Sequence, residues 1–134
     1  MRTIRDVVVH GKNLENVKNH VAVWLAQNEF SILDWQADGS EKIYGMVGGR
    51  VRIRPHIGSI VAVQYKISGV VVFEISLKPI SEGTSLHGEF YAAGASLFAG
   101  DEYDLSPNPP FVGSLPRKRG YKILSEFMQS IQTL

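Results

Sequence analysis

The stretch from Gly48 to Ala93 constrains the fold of this chain more than any other part of it. It reads as three long strands joined by short turns. From Ile43 to Ile53 the odd positions are Ile43, Gly45, Val47, Gly49, Val51 and Ile53, and the even ones include Arg50 and Arg52, with Arg54 continuing the series. That unbroken parity predicts one long strand with an apolar-or-glycine inner face and a basic outer face, bent where Gly48 and Gly49 fall. A second strand, Ile60 to Ile67, puts Val61, Val63, Tyr65 and Ile67 inward, and the next offers Val71, Phe73, Ile75 and Leu77. A three-residue loop with Gly69 left-handed pairs Ile67 with Val71, which keeps both apolar sets on one face. A turn over residues 80–83 then pairs Leu77 with Leu86, Ile75 with Gly88, Phe73 with Phe90 and Val71 with Ala92.

The flanks supply cover for such a sheet. Residues 3–10 (TIRDVVVH) are rich in β-branched side chains and stop at Gly11, as a strand does. Asn13 is placed to cap a helix over residues 14–28, in which Leu14, Val17, Val21, Trp24 and Leu25 recur at helical spacing, with Asn28 as the left-handed residue closing it. Phe30 to Ala37 alternates again as sheet. From Gly94 to Ser114 the pattern gives way to small residues, prolines and the acidic run Asp101-Glu102-Tyr103-Asp104, a long loop of the kind that forms lids and binding loops. Ser114 caps a last helix with Pro116 in its first turn and Tyr121, Leu124, Phe127 and Ile131 on one stripe. The expected fold is α+β: a curved antiparallel sheet of about six strands in the order β-α-β5-α, with two helices packed on one face and residues 1–134 forming a single domain.

Composition narrows the function classes. The chain has 134 residues, 44% of them hydrophobic, and a net charge of +1, so no global field draws it to nucleic acid or an anionic membrane. With no cysteine, thiolate nucleophiles, disulfides and thiolate metal sites are excluded. Residues 1–11 lack the apolar core of a secretory signal and no window resembles a membrane span, which makes the cytoplasm the expected address. His10, His20, His56 and His87 show no metal-ligand spacing, and Gly45 to Gly49 does not match a dinucleotide loop. Neither a cofactor nor a catalytic motif is indicated, and a non-enzymatic role is expected.

Three local features remain. In the proposed register Arg50, Gln64, Glu74 and Glu89 form one row of the outer face, so Glu74 and Glu89 meet as like charges. That costs stability unless a proton, a cation or a basic side chain intervenes, and Lys66 and Arg50 are the expected neutralisers. A carboxylate pair can also do acid/base work or hold a hard cation. Arg50, Arg52 and Arg54, about 7 Å apart along a strand, form a comb suited to an acidic protein or to phosphates, although three alternating basic residues also describe an ordinary solvated face. Only Tyr44 and Tyr91 add aromatics to it, so nucleic acid is a weak candidate. Arg117, Lys118 and Arg119 open the last helix, where the helix dipole disfavours them. Arg117 and Arg119 are therefore candidates for anion or partner binding, with the acidic 101–104 stretch folding back as the favoured compensation.

The inner face differs in kind, because Gly45, Gly49, Gly88 and Ala92 remove volume from it. Either bulky side chains such as Trp24 and Phe127 fill that space, or an apolar ligand cavity lined by Trp24, Gly45, Gly49, Tyr65, Phe73, Gly88, Phe90 and Phe127 remains. Together, the VVVHG strand leading into helix 14–28, the strands through Arg54, Ile67 and Leu77, and the PRKRGYKILSEFMQSI helix resemble the helix-grip class. That class is the START-related (SRPBCC), pollen-allergen-like superfamily; the same order of elements also resembles the related TATA-binding-protein-like fold. One helix here replaces the two short ones that usually follow the first strand. The resemblance implies that the first strand joins the sheet edge beside the last strand, that the C-terminal helix crosses a curved sheet, and that an apolar or amphipathic small molecule binds in the grip with the 94–115 loop at its mouth.

Overall fold

The computed structural model describes residues 2–33, 42–46, 49–53, 59–66, 69–94, 102–108 and 114–134. In chain order the elements are β1 (Thr3–His10), α1 (Leu14–Gln27), β2 (Ser31–Leu33), β3 (Lys42–Met46), β4 (Gly49–Ile53), β5 (Ser59–Lys66), β6 (Gly69–Ile80), β7 (Gly83–Gly94) and α2 (Ser114–Gln132). Five strands form one antiparallel sheet in the order β1-β7-β6-β5-β2, and β3 and β4 form a separate two-stranded sheet. The fold is α+β. β1 lies at the edge beside β7, the last strand.

Local chemistry accounts for the helix ends. The Asn13 side chain accepts from the Asn16 N–H at 2.9 Å, satisfying one of the free donors of the first turn of α1. Val17, Val21 and Leu25, four residues apart, are all fully buried. The left-handed residue after the helix is Glu29 (φ 65°), one position beyond the expected Asn28. Asn28 instead turns its side-chain amide onto the Trp24 carbonyl at 2.8 Å, so it closes the last turn through its side chain and keeps a negative φ. In α2 the expected stripe is realised: Leu124, Phe127 and Ile131 are buried and Tyr121 packs against them.

The β6–β7 pairing agrees residue for residue with the sequence argument, including Phe73 opposite Phe90 and Glu74 opposite Glu89. At the turn Gly83 has φ 147°, and a Cβ there would lie 2.1 Å from the Val9 carbonyl oxygen, so no other residue fits that close approach. Two other expectations are corrected. The supposed single strand over 43–53 is a hairpin, with Lys42 opposite Ile53 and Gly45 opposite Arg50. In this register Ile43 stands opposite Arg52 and Tyr44 opposite Val51, so odd positions of one strand meet even positions of the other and the proposed continuous odd-numbered face is not kept across the connection. The β5–β6 register is also different: Lys66 pairs with Gly69, Gln64 with Val71 and Ala62 with Phe73. This sends Val61, Val63 and Tyr65 to the face opposite Phe73.

The register shift is tolerated because the sheet buries both of its faces. On the helix face Val9, Ala62, Val71, Phe73, Ile75, Leu86, Phe90 and Ala92 join the buried residues of α1 and α2 in one core. On the far face Val61, Val63, Val70, Val72, Tyr91 and Ala93 form a second buried cluster, none more than 3% exposed. The premise that all apolar residues of β5 and β6 share one side therefore does not hold.

Candidate functional site

The far face carries the unusual chemistry of this molecule. Even positions of β6 and odd positions of β7 point there, which places Glu74 and Glu89 side by side next to the apolar cluster. The basic group between them is Arg2, which precedes β1 and so lies beside the end of β7. Its guanidinium sits 4.3 Å from the centre of the Tyr91 ring. It donates from Nε and Nη2 to both carboxylate oxygens of Glu102, each at 2.8 Å, bonds Glu74 Oε2 through Nη1, and lies 3.7 Å from Glu89 Oε1. One cation therefore holds three carboxylates and one aromatic face. Lys66, expected to neutralise this row, pairs with Glu29 at 2.5 Å instead, and Arg50 belongs to the other sheet.

Two atoms of this site are left without hydrogen-bond partners: Glu74 Oε1 and the Tyr91 hydroxyl. Both side chains are buried, Glu74 to 6% exposure and Tyr91 completely. They are diagonal neighbours on adjacent strands, since Glu74 faces Glu89 and Val72 faces Tyr91. Burial raises the Glu74 pKa; Arg2 pulls against it and Glu89 adds to it. Burial likewise pushes the Tyr91 phenol up, aided by the Glu74 carboxylate. The bond to Glu102 raises the already high pKa of Arg2, so this cation is permanent. A buried polar atom with no partner costs about 1–3 kcal/mol, and this face carries two of them on adjacent strands.

At the sheet edge His87 extends the network. Its Nδ1 is 2.6 Å from Asp6 Oδ1 and its Nε2 is 3.5 Å from Glu89 Oε2, and the Asp6 hydrogen bond is the main reason its pKa is raised. Among the described residues no group of three or more His, Asp or Glu side chains is arranged to hold a metal ion.

The residues singled out from sequence are distributed differently. Trp24, Phe73, Phe90 and Phe127 do come together on the helix face, as edge-on rings: Trp24–Phe127 at 5.1 Å, Phe73–Phe90 at 4.6 Å, Phe73–Phe127 at 5.6 Å. The space beside Gly88 is taken by Phe90, whose Cζ lies 2.2 Å from where a Cβ would stand. Gly45 stands opposite Arg50 and Gly49 opposite Met46 in the β3–β4 sheet, a different sheet from that of Gly88, and Tyr65 lies on the far face, 46% exposed. The side chains of Arg50 and Arg52, and the whole of Arg54, lie outside the described residues.

The basic first turn of α2 has the internal partner that the charge argument favours. Arg117 donates to the Asp104 carbonyl at 2.8 Å and to its carboxylate at 2.7 Å. Arg119 reaches Gln64 Oε1 at 2.8 Å and the Gly69 carbonyl at 2.9 Å, while Gln64 donates to the Asn28 carbonyl, so one polar chain ties α2, β5 and the end of α1 together. The segment 102–108 is docked, with Tyr103 and Ala92 exchanging two backbone hydrogen bonds of 2.8 Å and the Leu105 N–H donating to Thr3 Oγ1.

Sequence reasoning placed Glu74, Glu89 and Tyr91 on one face but missed Arg2 and Glu102 as their partners. Arg2 is brought in by the pairing of β1 with β7, which sets Thr3 opposite Phe90, and Glu102 by the docked loop, neither of which leaves a local pattern. No protein-family model, curated protein or solved structure matches this chain.

Proposed function

We propose that this domain binds a small amphipathic molecule against the far face of its sheet, with the polar end at Glu74 and Tyr91 and the apolar body along Val61, Val63, Val70 and Val72. The observation that carries this reading is the pair of buried, unpartnered polar atoms at the border of a buried apolar cluster. The helix face, where the helix-grip resemblance puts a ligand, is the poorer place: both unpartnered polar atoms among the described residues lie on the far face, and Phe90 takes the space next to Gly88. Nothing in the described geometry favours the alternative, an acidic protein or nucleic acid on the Arg50–Arg54 comb.

Neighbouring valines on β6 test the assignment, because Val71 lies in the helix-face core and Val72 in the far-face cluster. Each is replaced by threonine, which keeps the shape and adds a hydroxyl. Saturable one-to-one binding of the neutral dye Nile red is expected for the native chain and for Val71→Thr, and is expected to weaken at least fivefold in Val72→Thr. The reverse dependence would move the site to the helix face and end this reading, as would a native chain that takes up no apolar dye and carries no co-purified molecule in native mass spectrometry.

A further inference from the structure

We infer that β1 is a pairing edge for a second copy of this chain: two β1 strands join antiparallel about a two-fold axis at Asp6, making one sheet of the two five-stranded ones. Among the described residues β1 ends its sheet, with β7 on one side and no strand on the other. The Gly11 N–H donates to the Glu82 carbonyl at 2.8 Å, in the same register that sets Val9 opposite Thr84 and Thr3 opposite Phe90. The odd residues of β1 therefore direct their backbone groups to β7, and Ile4, Asp6, Val8 and His10 hold theirs away from it. All four are exposed. Among the described residues, the hydrogen bond that reaches this row is from Arg5 Nη1 to the Ile4 carbonyl at 2.9 Å, and that oxygen keeps a second lone pair. Proline, glycine, lysine and bulges, the usual means of blunting an edge, are missing from Thr3–His10, which pairs with β7 at every residue.

The side chains of that row make it fit itself. Ile4 and Val8, 51% and 39% exposed, share one face, two positions to either side of Asp6. With the axis at Asp6, Ile4 meets the partner's Val8 and Val8 meets the partner's Ile4, so each covers the other. An axis at Arg5 would bring two guanidinium groups together, and an axis at Val7 would set Ile4 against His10 and Val8 against Asp6. On the other face the partner's Arg5 and Thr3 would stand opposite Val7 and Val9, at a groove of about 270 Å³ that these valines share with Ile131 and Leu134. A foreign strand could satisfy the backbone, but it would not supply this reciprocal pairing. Asp6 meets its own copy, and each carboxylate brings a counter-charge, since His87 Nδ1 lies 2.6 Å from Asp6 Oδ1. The other charged groups around that imidazole are Glu89, 3.5 Å from its Nε2, and Glu74 and Lys78 at the diagonal positions of β6. With both imidazoles protonated the two facing carboxylates are balanced; with both neutral they repel. Association therefore weakens as pH rises through the raised His87 value.

Because the chain has no cysteine, oxidation of single-cysteine variants reads the register directly. Asp6→Cys, at a side chain 71% exposed, should give a disulfide-linked dimer, whereas Arg5→Cys and Val7→Cys, each a diagonal away from its own copy, should not. In sedimentation velocity the full native chain should show a concentration-dependent dimer, about threefold tighter at pH 6 than at pH 8, and Asp6→Asn should abolish that difference. Val8→Lys should weaken the dimer about tenfold, and Val23→Lys, at an apolar side chain 54% exposed on α1, should leave it unchanged. A native chain that stays monomeric at millimolar concentration would overturn the pairing, and so would equal loss in the two lysine variants, which would mean non-specific adhesion. Cross-linking through Arg5→Cys or Val7→Cys in place of Asp6→Cys, or a dimer equally tight at both pH values, would take Asp6 off the axis and overturn it as well.

Discussion

Gly88→Ala is the substitution that most sharply tests whether the helix side of the sheet is filled. The added Cβ would stand 2.2 and 2.5 Å from two atoms of the Phe90 ring, well inside contact distance, so the ring must move. It is fully buried, and it packs edge-on against Phe73 at 4.6 Å and near Phe127 at 6.2 Å. Overpacking of this kind costs roughly 1–3 kcal/mol. Replacing a strand glycine recovers roughly 0.5–1 kcal/mol of backbone entropy, so a net loss of about 1–2 kcal/mol is expected. For a domain of this size that corresponds to a fall in Tm of roughly 3–10 °C. Urea unfolding should show a lower midpoint with an unchanged slope. Phe90→Leu alone should also destabilise, through the cavity it leaves, but in the double variant the smaller side chain accepts the methyl group. The two losses should therefore be non-additive by about 1 kcal/mol. A Gly88→Ala protein within 0.3 kcal/mol of the native one, with additive behaviour in the double variant, would refute the packing argument, because it would mean that the ring has room to swing aside and that the interface between sheet and helices holds free space.

Two further expectations concern the far face. Arg2→Met removes the one cation shared by Glu74, Glu89 and Glu102, and should cost about 3 kcal/mol at neutral pH, the low end for a broken buried pair because Arg2 keeps 24% exposure. Arg2 holds the Glu74 pKa down, so in its absence the carboxyl protonates more readily, and the difference from the native chain in urea midpoint should shrink as pH falls towards 5; a pH-independent difference would show that Glu74 is not the group left exposed to the loss. Separately, the raised pKa of His87 means that the folded state binds its proton more tightly than the unfolded state. That contribution is complete below the ordinary value of 6.5 and is lost as pH rises through the raised one. The slope of stability against pH between 6 and 8 should therefore be negative and should flatten in Asp6→Asn. Because both partners are well exposed, the effect should stay under about 1 kcal/mol, and an unaltered slope in the variant would exclude the Asp6 contact as its origin.

Where the physics is local, the amino-acid sequence was enough. The cap at Asn13, the four-residue spacing of Val17, Val21 and Leu25, the stripe of α2 and the β6–β7 register all follow from hydrogen-bond inventory and hydrophobic period within a few turns of chain. The facing of Glu74 and Glu89 followed from that register, because side chains alternate with a period of two and a tight turn transmits the register from one strand to the next. The β5–β6 register failed for the opposite reason. It rested on the assumption of a single buried face, whereas the uninterrupted run Val70-Val71-Val72-Phe73 already carries the mark of a strand buried on both sides. What only the tertiary structure decided is the identity of the site: Arg2 and Glu74 are separated by 72 positions and Arg2 and Glu102 by 100, yet one guanidinium reaches both carboxylates. No periodicity encodes that meeting. It exists because β1 docks beside β7 and the 102–108 segment folds over the same edge, and it left Glu74 and Tyr91 each with a polar atom that the rest of the chain does not satisfy.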